Sequence, residues 1–167
     1  MTPEAKARSN IDKMLTDAGY ILQDMKSLNR TAALGIAVRE FPTQSGPVDY
    51  LLFVGGRPVG VVEAKAEDKG VFLSSVAEQS ERYIKSGLKY SAVMPDIIFA
   101  YESTGVITNF RDIRDIKTRS RDVFSFHRPD TLADWLKDED TLRNRMKANE
   151  TFSNYKSCIY QPICHYY

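Results

Sequence analysis

The chain has 167 residues, of which 43% are hydrophobic and 27% are charged, with 23 lysines and arginines against 22 acidic residues. This size and apolar fraction predict one folded domain and exclude a disordered chain, and no apolar run approaches the roughly 20 residues of a membrane-spanning helix. A net charge of +1 gives no whole-chain sign of a polyanionic partner. The only two cysteines, Cys158 and Cys164, exclude a disulfide-stapled secreted scaffold and favour a reduced, cytoplasmic protein.

The first predicted element is a helix at the amino terminus. Thr2 is a suitable N-cap, Pro3 suits the first helical position, and Gly19 is a natural stop. An apolar stripe at helical spacing predicts the buried face. Its members are Ala7, Ile11, Met14, Leu15 and Ala18.

A strand over residues 35–41 is followed by the clearest local pattern in the chain. Two apolar runs, residues 48–54 and 59–65, flank a short segment that contains Gly55 and Gly56. Such a pattern predicts a β-hairpin with a short glycine turn.

The remaining elements predict a mixed α/β domain, with helices flanking a central mixed β-sheet. They are a helix over residues 74–86, strands over 96–101, 105–110 and 123–126, and helices over 131–136 and 140–148. Residues 1–148 are predicted as the domain, and residues 149–167 as an irregular tail, a linker stub or the truncated start of a further, absent region.

The hairpin brings two acids and a lysine together at its open end. If the turn closes with Val54 opposite Pro58, Asp49 comes to lie beside Glu63. Lys65 shares a face with Glu63, because residues two apart on a strand point the same way. Solvated side chains at strand ends are the alternative interpretation of this pattern.

Paired carboxylates favour a hard divalent cation, which relieves their mutual repulsion. Mg²⁺ prefers oxygen ligands and keeps several waters, so Asp49, Glu63 and the carbonyl of Ala64 form a candidate site. Lys65 would stabilise charge in a phosphoryl transition state.

A glutamine and a tyrosine lie on the apolar stripe of the helix over residues 74–86. Gln79 and Tyr83 are four residues apart and project together. Either the glutamine is satisfied by backbone groups and the tyrosine is half-buried, or both point at the acids of the hairpin.

These motifs resemble a known nuclease family. Asp49, Glu63-Ala64-Lys65 and Gln79-x3-Tyr83 look like the PD-(D/E)xK motif with the Q-x3-Y extension of its RecB-like branch. More closely, the stretch from Val48 to Tyr83 is similar to the N-terminal nuclease domain of the restriction (R) subunit of type I restriction-modification enzymes. Similarity also extends to the opening helix and to Phe126-His127-Arg128-Pro129.

The resemblance implies a restriction-endonuclease-like fold and Mg²⁺-dependent hydrolysis of double-stranded DNA in defence against foreign DNA, with Mn²⁺ as a substitute metal. It makes Asp49 and Glu63 metal ligands, Lys65 catalytic, and Gln79 and Tyr83 positioning groups. The familiar proline before the first aspartate is replaced by valine. Either Glu4 or Glu40 would complete the site.

The resemblance also implies parts outside this chain. The chain contains no G-x-x-x-x-G-K-[ST] phosphate loop, so ATP would act only in an absent motor region. We therefore expect the chain to be a fragment of a larger translocating enzyme. Methylation (M) and specificity (S) subunits would be partners, and no membrane contact is implied.

Four basic residues are candidates for DNA contacts, because phosphates bind lysine and arginine. They are Lys69, Arg111, Arg114 and Lys117. A solvated loop with paired charges is the alternative interpretation. For the whole chain, the alternatives are a RecB-like repair or recombination nuclease, and a non-catalytic DNA-binding or docking module that retains the nuclease fold.

Overall fold

The computed structural model describes residues 2–43, 46–66, 97–115 and 120–148. Helix α1 spans Pro3–Asp17, and the Thr2 hydroxyl caps it by accepting a hydrogen bond from the Ala5 backbone N–H at 3.2 Å. Gly19 follows with φ of 97°, a left-handed value that ends the helix. The predicted helix is therefore confirmed, and of its apolar stripe only Met14 is half-buried rather than buried.

Seven described strands form one mixed sheet in chain order. Pairing is parallel between β1 and β2 and between β4 and β5, and antiparallel elsewhere. The strands are β1 (Ile21–Asp24), β2 (Gly35–Phe41), β3 (Val48–Val54), β4 (Arg57–Ala64), β5 (Phe99–Ser103), β6 (Thr108–Asp112) and β7 (Arg121–Val123).

The hairpin of β3 and β4 closes more tightly than predicted. Gly55 and Gly56 form a two-residue turn, with φ of 58° and 78°, values that glycine adopts without strain. Val54 therefore pairs with Arg57, and the predicted pairing of Val54 with Pro58 is wrong.

A register shift between Leu52 and Phe53 compensates for the tighter turn. Phe53 pairs with Pro58 but Leu52 pairs with Gly60, so Val59 is an extra residue in β4, as in a β-bulge. Beyond the bulge the register is the predicted one, with Tyr50 opposite Val62. The open end of the hairpin is thus arranged as the sequence predicts.

Two apolar clusters cover the two faces of the sheet. The larger contains residues of α1, of the sheet and of a second helix, α2 (Pro129–Trp135). The smaller includes Ile36, Val38, Leu51 and Val61. The strands read as apolar runs because both faces are buried.

Several predicted boundaries move. The strands predicted over residues 96–101, 105–110 and 123–126 shift to β5, β6 and β7, and helix α2 begins at Pro129, which suits the first helical position. The last predicted helix is present over 142–148. The helix predicted over 74–86 and the tail 149–167 lie outside the described residues, so the domain boundary at 148 stays a prediction. No helix in the described ranges is long and apolar enough to cross a membrane.

Candidate active site

The Asp49 carboxylate lies at the open end of the hairpin and is held by two different elements. Its Oδ2 accepts a hydrogen bond from the Ala64 backbone N–H on β4 at 2.9 Å. Its Oδ1 accepts one from the Arg8 guanidinium on α1. The side chain is 22% exposed, so it reaches the solvent from a sheltered position. Asp49 therefore sits beside the Glu63-Ala64 pair, as the hairpin pattern predicts.

Lys65 lies between two carboxylates on neighbouring strands. Its Nζ is 3.8 Å from Glu63 Oε2 and 3.1 Å from Glu102 Oε1. Glu63 on β4 pairs in register with Glu102 on β5, which brings the two acids side by side. The ammonium offsets the repulsion between them.

Glu102 is a site acid that the sequence patterns do not indicate. It falls between the strands predicted over residues 96–101 and 105–110, and nothing local to Glu102 points to a functional role. Only the parallel pairing of β4 and β5, across a connection of more than thirty residues, brings it to Glu63. Within β5, Glu102 takes a half-buried place in a regular alternation of buried and half-buried side chains, so the strand pattern does not single it out either.

Arg8 connects Asp49 to a further acid, Glu40. The Arg8 guanidinium donates to Glu40 Oε1 at 2.9 Å as well as to Asp49. Partial burial alone would lower the pKa of Arg8, but the hydrogen bond to Glu40 and the charge of Asp49 raise it above its ordinary value. Of the two upstream acids predicted as candidates, Glu40 approaches Asp49 through Arg8, whereas Glu4 is exposed in the first turn of α1.

The backbone at Glu40 is strained. Its φ is 48°, a left-handed value that glutamate rarely adopts. Phe41, next to Glu40, and its partner Val48 on β3 pack with one apolar cluster, whereas Tyr50 packs with the other. Residues two apart on a regular strand share a face, so the alternation of β3 is broken between Val48 and Tyr50. The break lies directly beside the candidate site, where backbone strain is often found.

Tyr50 fastens α1 to the sheet next to Asp49. Its hydroxyl lies 2.9 Å from Asp12 Oδ1 and 3.2 Å from the carbonyl oxygen of Arg8. Burial and the hydrogen bond to Asp12 raise the pKa of Tyr50, so the hydroxyl stays protonated and can donate. This contact fixes the position from which Arg8 reaches Asp49.

A cleft of about 710 Å³ opens beside Asp49. It lies between α1, β1 and β2, and its cationic side chains are Arg8, Lys26 and Arg39. Arg39 is held by Asp12 at 2.9 Å, and Arg8 is held by Glu40 and Asp49. The cleft leaves room for a polar ligand next to the acids.

Two of the predicted DNA-contacting residues are described, and neither has an exposed side chain. Arg111 is 4% exposed. Arg114 is held by Asp112, with Nη2 2.7 Å from Oδ2, and its Nη1 donates to the carbonyl oxygen of Trp135 at 3.0 Å. Arg111 and Arg114 therefore occupy positions typical of structural residues. Gln79, Tyr83, Lys69 and Lys117 lie outside the described residues, and their roles stay predictions.

His127 packs away from the site, among aromatic rings. Its Nδ1 is 2.7 Å from the Tyr101 hydroxyl, and its ring lies 4.5 Å from Phe110 and 4.8 Å from Trp135, measured between centroids. Burial, with a smaller contribution from the charge of Arg121, lowers the pKa of His127 to about 4. His127 is therefore a packing residue.

This lowered pKa predicts a pH dependence of stability. In the unfolded chain His127 has its ordinary pKa of 6.5, whereas in the folded chain its pKa is about 4. The contribution of neutral His127 to the free energy of unfolding is therefore fully present above pH 6.5. It falls by about 2 kcal/mol as the pH drops to 4, and this energy is already reduced for solvent screening of the half-buried ring. Urea unfolding at pH 7 and pH 4.5 measures this loss. A His127→Asn variant should lose distinctly less on acidification, and an equal loss in both proteins contradicts the assignment.

The donor set at the end of the hairpin fits Mg²⁺. Among the described residues, no three side chains of His, Cys, Asp or Glu form a metal-binding group. The groups that would hold the cation are instead two carboxylates, Asp49 and Glu63, with the carbonyl of Ala64, and Mg²⁺ commonly takes one or two carboxylates and several waters. Both acids already attract cationic groups, Arg8 and Lys65, which indicates a site of negative potential.

Comparison with known proteins identifies relatives of this chain. Residues 22–104 match the family model described as the second domain of the type I restriction enzyme EcoKI endonuclease subunit. The matched range contains Asp49, Glu63, Lys65 and Glu102. The chain is also 26% identical to the type I restriction enzyme EcoKI endonuclease subunit of Escherichia coli (strain K12), over 87% of its own length and 17% of that protein.

A solved structure shares the fold. It is a fragment assigned to an HsdR subunit of a type I restriction enzyme from Vibrio vulnificus YJ016, with a TM-score of 0.54 and 18% identity. The match covers 80% of this chain and 25% of the solved chain. The mixed seven-stranded sheet with flanking helices is thus restriction-endonuclease-like, and the predicted fold class is confirmed.

Proposed function

We propose that this chain, which is similar to type I restriction enzyme endonuclease subunits, carries a Mg²⁺-dependent nuclease site that hydrolyses phosphodiester bonds of double-stranded DNA. The chain spans about 17% of the length of the curated relative that it matches. The proposed activity, substrate and partners therefore concern the part that this chain contributes.

One observation carries the proposal. The Asp49 carboxylate accepts a hydrogen bond from the backbone of Ala64, so Asp49, Glu63 and Lys65 meet at one end of the hairpin. Two carboxylates and an ammonium in one place suit metal-assisted hydrolysis of a phosphodiester.

Each residue has a distinct part in this reaction. Asp49, Glu63 and the carbonyl of Ala64 would hold the cation, which when bound would polarise the phosphate and favour a nucleophilic water. Lys65 aims its ammonium beside Glu63 and stabilises negative charge as it develops on the phosphate. Gln79 and Tyr83 orient the site and the DNA, and Lys69 and Lys117 contact the DNA backbone.

A larger assembly would supply the remaining activities. We place it in the cytoplasm, with methylation and specificity subunits that select the DNA and an ATP-driven motor that moves it. A near-neutral chain suits a nuclease that receives its DNA from partners, because tight independent binding needs an excess of cations.

Calorimetric titration with Mn²⁺ and Mg²⁺ tests the site. We expect the wild-type chain to bind divalent cation, and Glu63→Gln to weaken the affinity by more than about tenfold, because a carboxylate ligand becomes a neutral amide. Glu139→Gln is the matched control, since Glu139 is exposed after α2 and the exchange is chemically identical. Equal binding by wild type and Glu63→Gln contradicts the proposed ligand set. Absence of binding favours a non-catalytic docking module.

A further inference from the structure

Lys65 has a closer acidic partner than the glutamate of its own motif. Its Nζ lies 3.1 Å from Glu102 Oε1, within hydrogen-bond distance, but 3.8 Å from Glu63 Oε2. Glu102 is also the less accessible of the two acids, with a side chain 17% exposed against 29% for Glu63. The ammonium is therefore anchored on β5.

The sheet holds Glu102 on both sides. It pairs with Glu63 across the parallel β4–β5 ladder and with Asn109 across the antiparallel β5–β6 ladder. The backbone N–H of Lys65 extends the first ladder by donating to the carbonyl oxygen of Ser103 at 2.8 Å. Lys65 is thus tied to β5 through its backbone and through its side chain.

Such an anchor has a clear physical use. A lysine side chain is long and flexible, and at 41% exposure it would otherwise sample many rotamers. If Glu63 is engaged by a cation, it no longer competes for the Lys65 ammonium. Glu102 is then the carboxylate that keeps the ammonium at the mouth of the site.

We propose that Glu102 is a positioning residue that holds the Lys65 ammonium beside the Asp49–Glu63 pair without itself binding the metal. This inference rests on the proposed function for its catalytic meaning, but the contact between Glu102 and Lys65 can be tested without metal or DNA.

The first measurement is the NMR order parameter of the Lys65 ammonium group in the metal-free protein. We expect Glu102→Gln to lower it toward the value of Lys13, an exposed lysine on α1. Glu102→Asp retains the charge on a shorter side chain and should give an intermediate value, which also decides the matter if Glu102→Gln does not fold. Glu139→Gln should leave the order parameter unchanged. Unchanged order in both Glu102 variants overturns the proposal.

The second measurement separates positioning from ligation. Mn²⁺ affinity of Glu102→Gln should stay within about threefold of wild type, because Glu102 is not a ligand in this proposal and its charge is already paired with the Lys65 ammonium. A loss as large as that of Glu63→Gln makes Glu102 a metal ligand and overturns the positioning role. If wild type binds no Mn²⁺, the proposed function fails, whereas the order parameter still decides whether Glu102 holds Lys65.

Discussion

Replacing Lys65 by methionine is expected to lower the rate of DNA cleavage by about 100-fold or more, the usual cost of removing one group that stabilises transition-state charge. Methionine keeps much of the length and apolar volume of the side chain but removes the ammonium that lies between Glu63 and Glu102. Because Lys65 is not a metal ligand, Mn²⁺ affinity should remain close to that of wild type. Nicking of supercoiled plasmid under single-turnover conditions, with protein in excess, measures the rate.

The control for this variant is Lys13→Met, which makes the same change at an exposed position on α1. It should cleave at the wild-type rate. Lys65→Met that cleaves as fast as Lys13→Met would show that the ammonium takes no part in the reaction, and the assignment of Lys65 would be wrong.

Replacing Phe99 by alanine is expected to reduce the free energy of unfolding by about 3–5 kcal/mol, as large-to-small exchanges in packed cores do. Phe99 on β5 is fully buried, and its ring stacks on Phe110 with centroids 5.9 Å apart and meets Trp135 at 6.1 Å. The cavity left by alanine would open in the larger apolar cluster, beside β5, the strand that also carries Glu102. Urea unfolding followed by circular dichroism measures the change.

Phe124 provides the matched control for this exchange. It is fully exposed after β7, so Phe124→Ala should change the free energy of unfolding by less than about 0.5 kcal/mol. Similar losses in the two variants would mean that Phe99 does not lie in the apolar core.

Much of the site follows from local patterns in the sequence. Apolar runs around Gly55 and Gly56 predict the hairpin, and the hairpin alone brings Asp49 to Glu63. The predicted turn is one residue too long, yet the register at the open end is right, because the bulge after Leu52 offsets the shorter turn. A bulge of this kind depends on packing of β4 against its neighbours, which the sequence of one strand does not reveal.

Local patterns do not predict features that depend on pairing between segments far apart in the sequence. Strand β1 has only four residues and no apolar alternation, and it forms by parallel addition to β2. Glu102 becomes part of the site through the β4–β5 pairing, and Arg8 through the packing of α1 on Tyr50. At Phe124 the local pattern is misleading. The strand predicted over residues 123–126 includes Phe124, but β7 ends at Val123 and the Phe124 side chain is exposed.

The most direct test of the central claim is cleavage of double-stranded plasmid by the wild-type chain with Mg²⁺, with EDTA, and with Asp49→Asn in place of wild type. Asparagine retains the size of the side chain but removes the charge that faces Arg8 and the metal site. We predict nicking that requires Mg²⁺ and is lost in Asp49→Asn. Nicking that persists unchanged in Asp49→Asn, or no nicking by a wild-type chain that binds the metal, would contradict the claim that this chain carries the nuclease site.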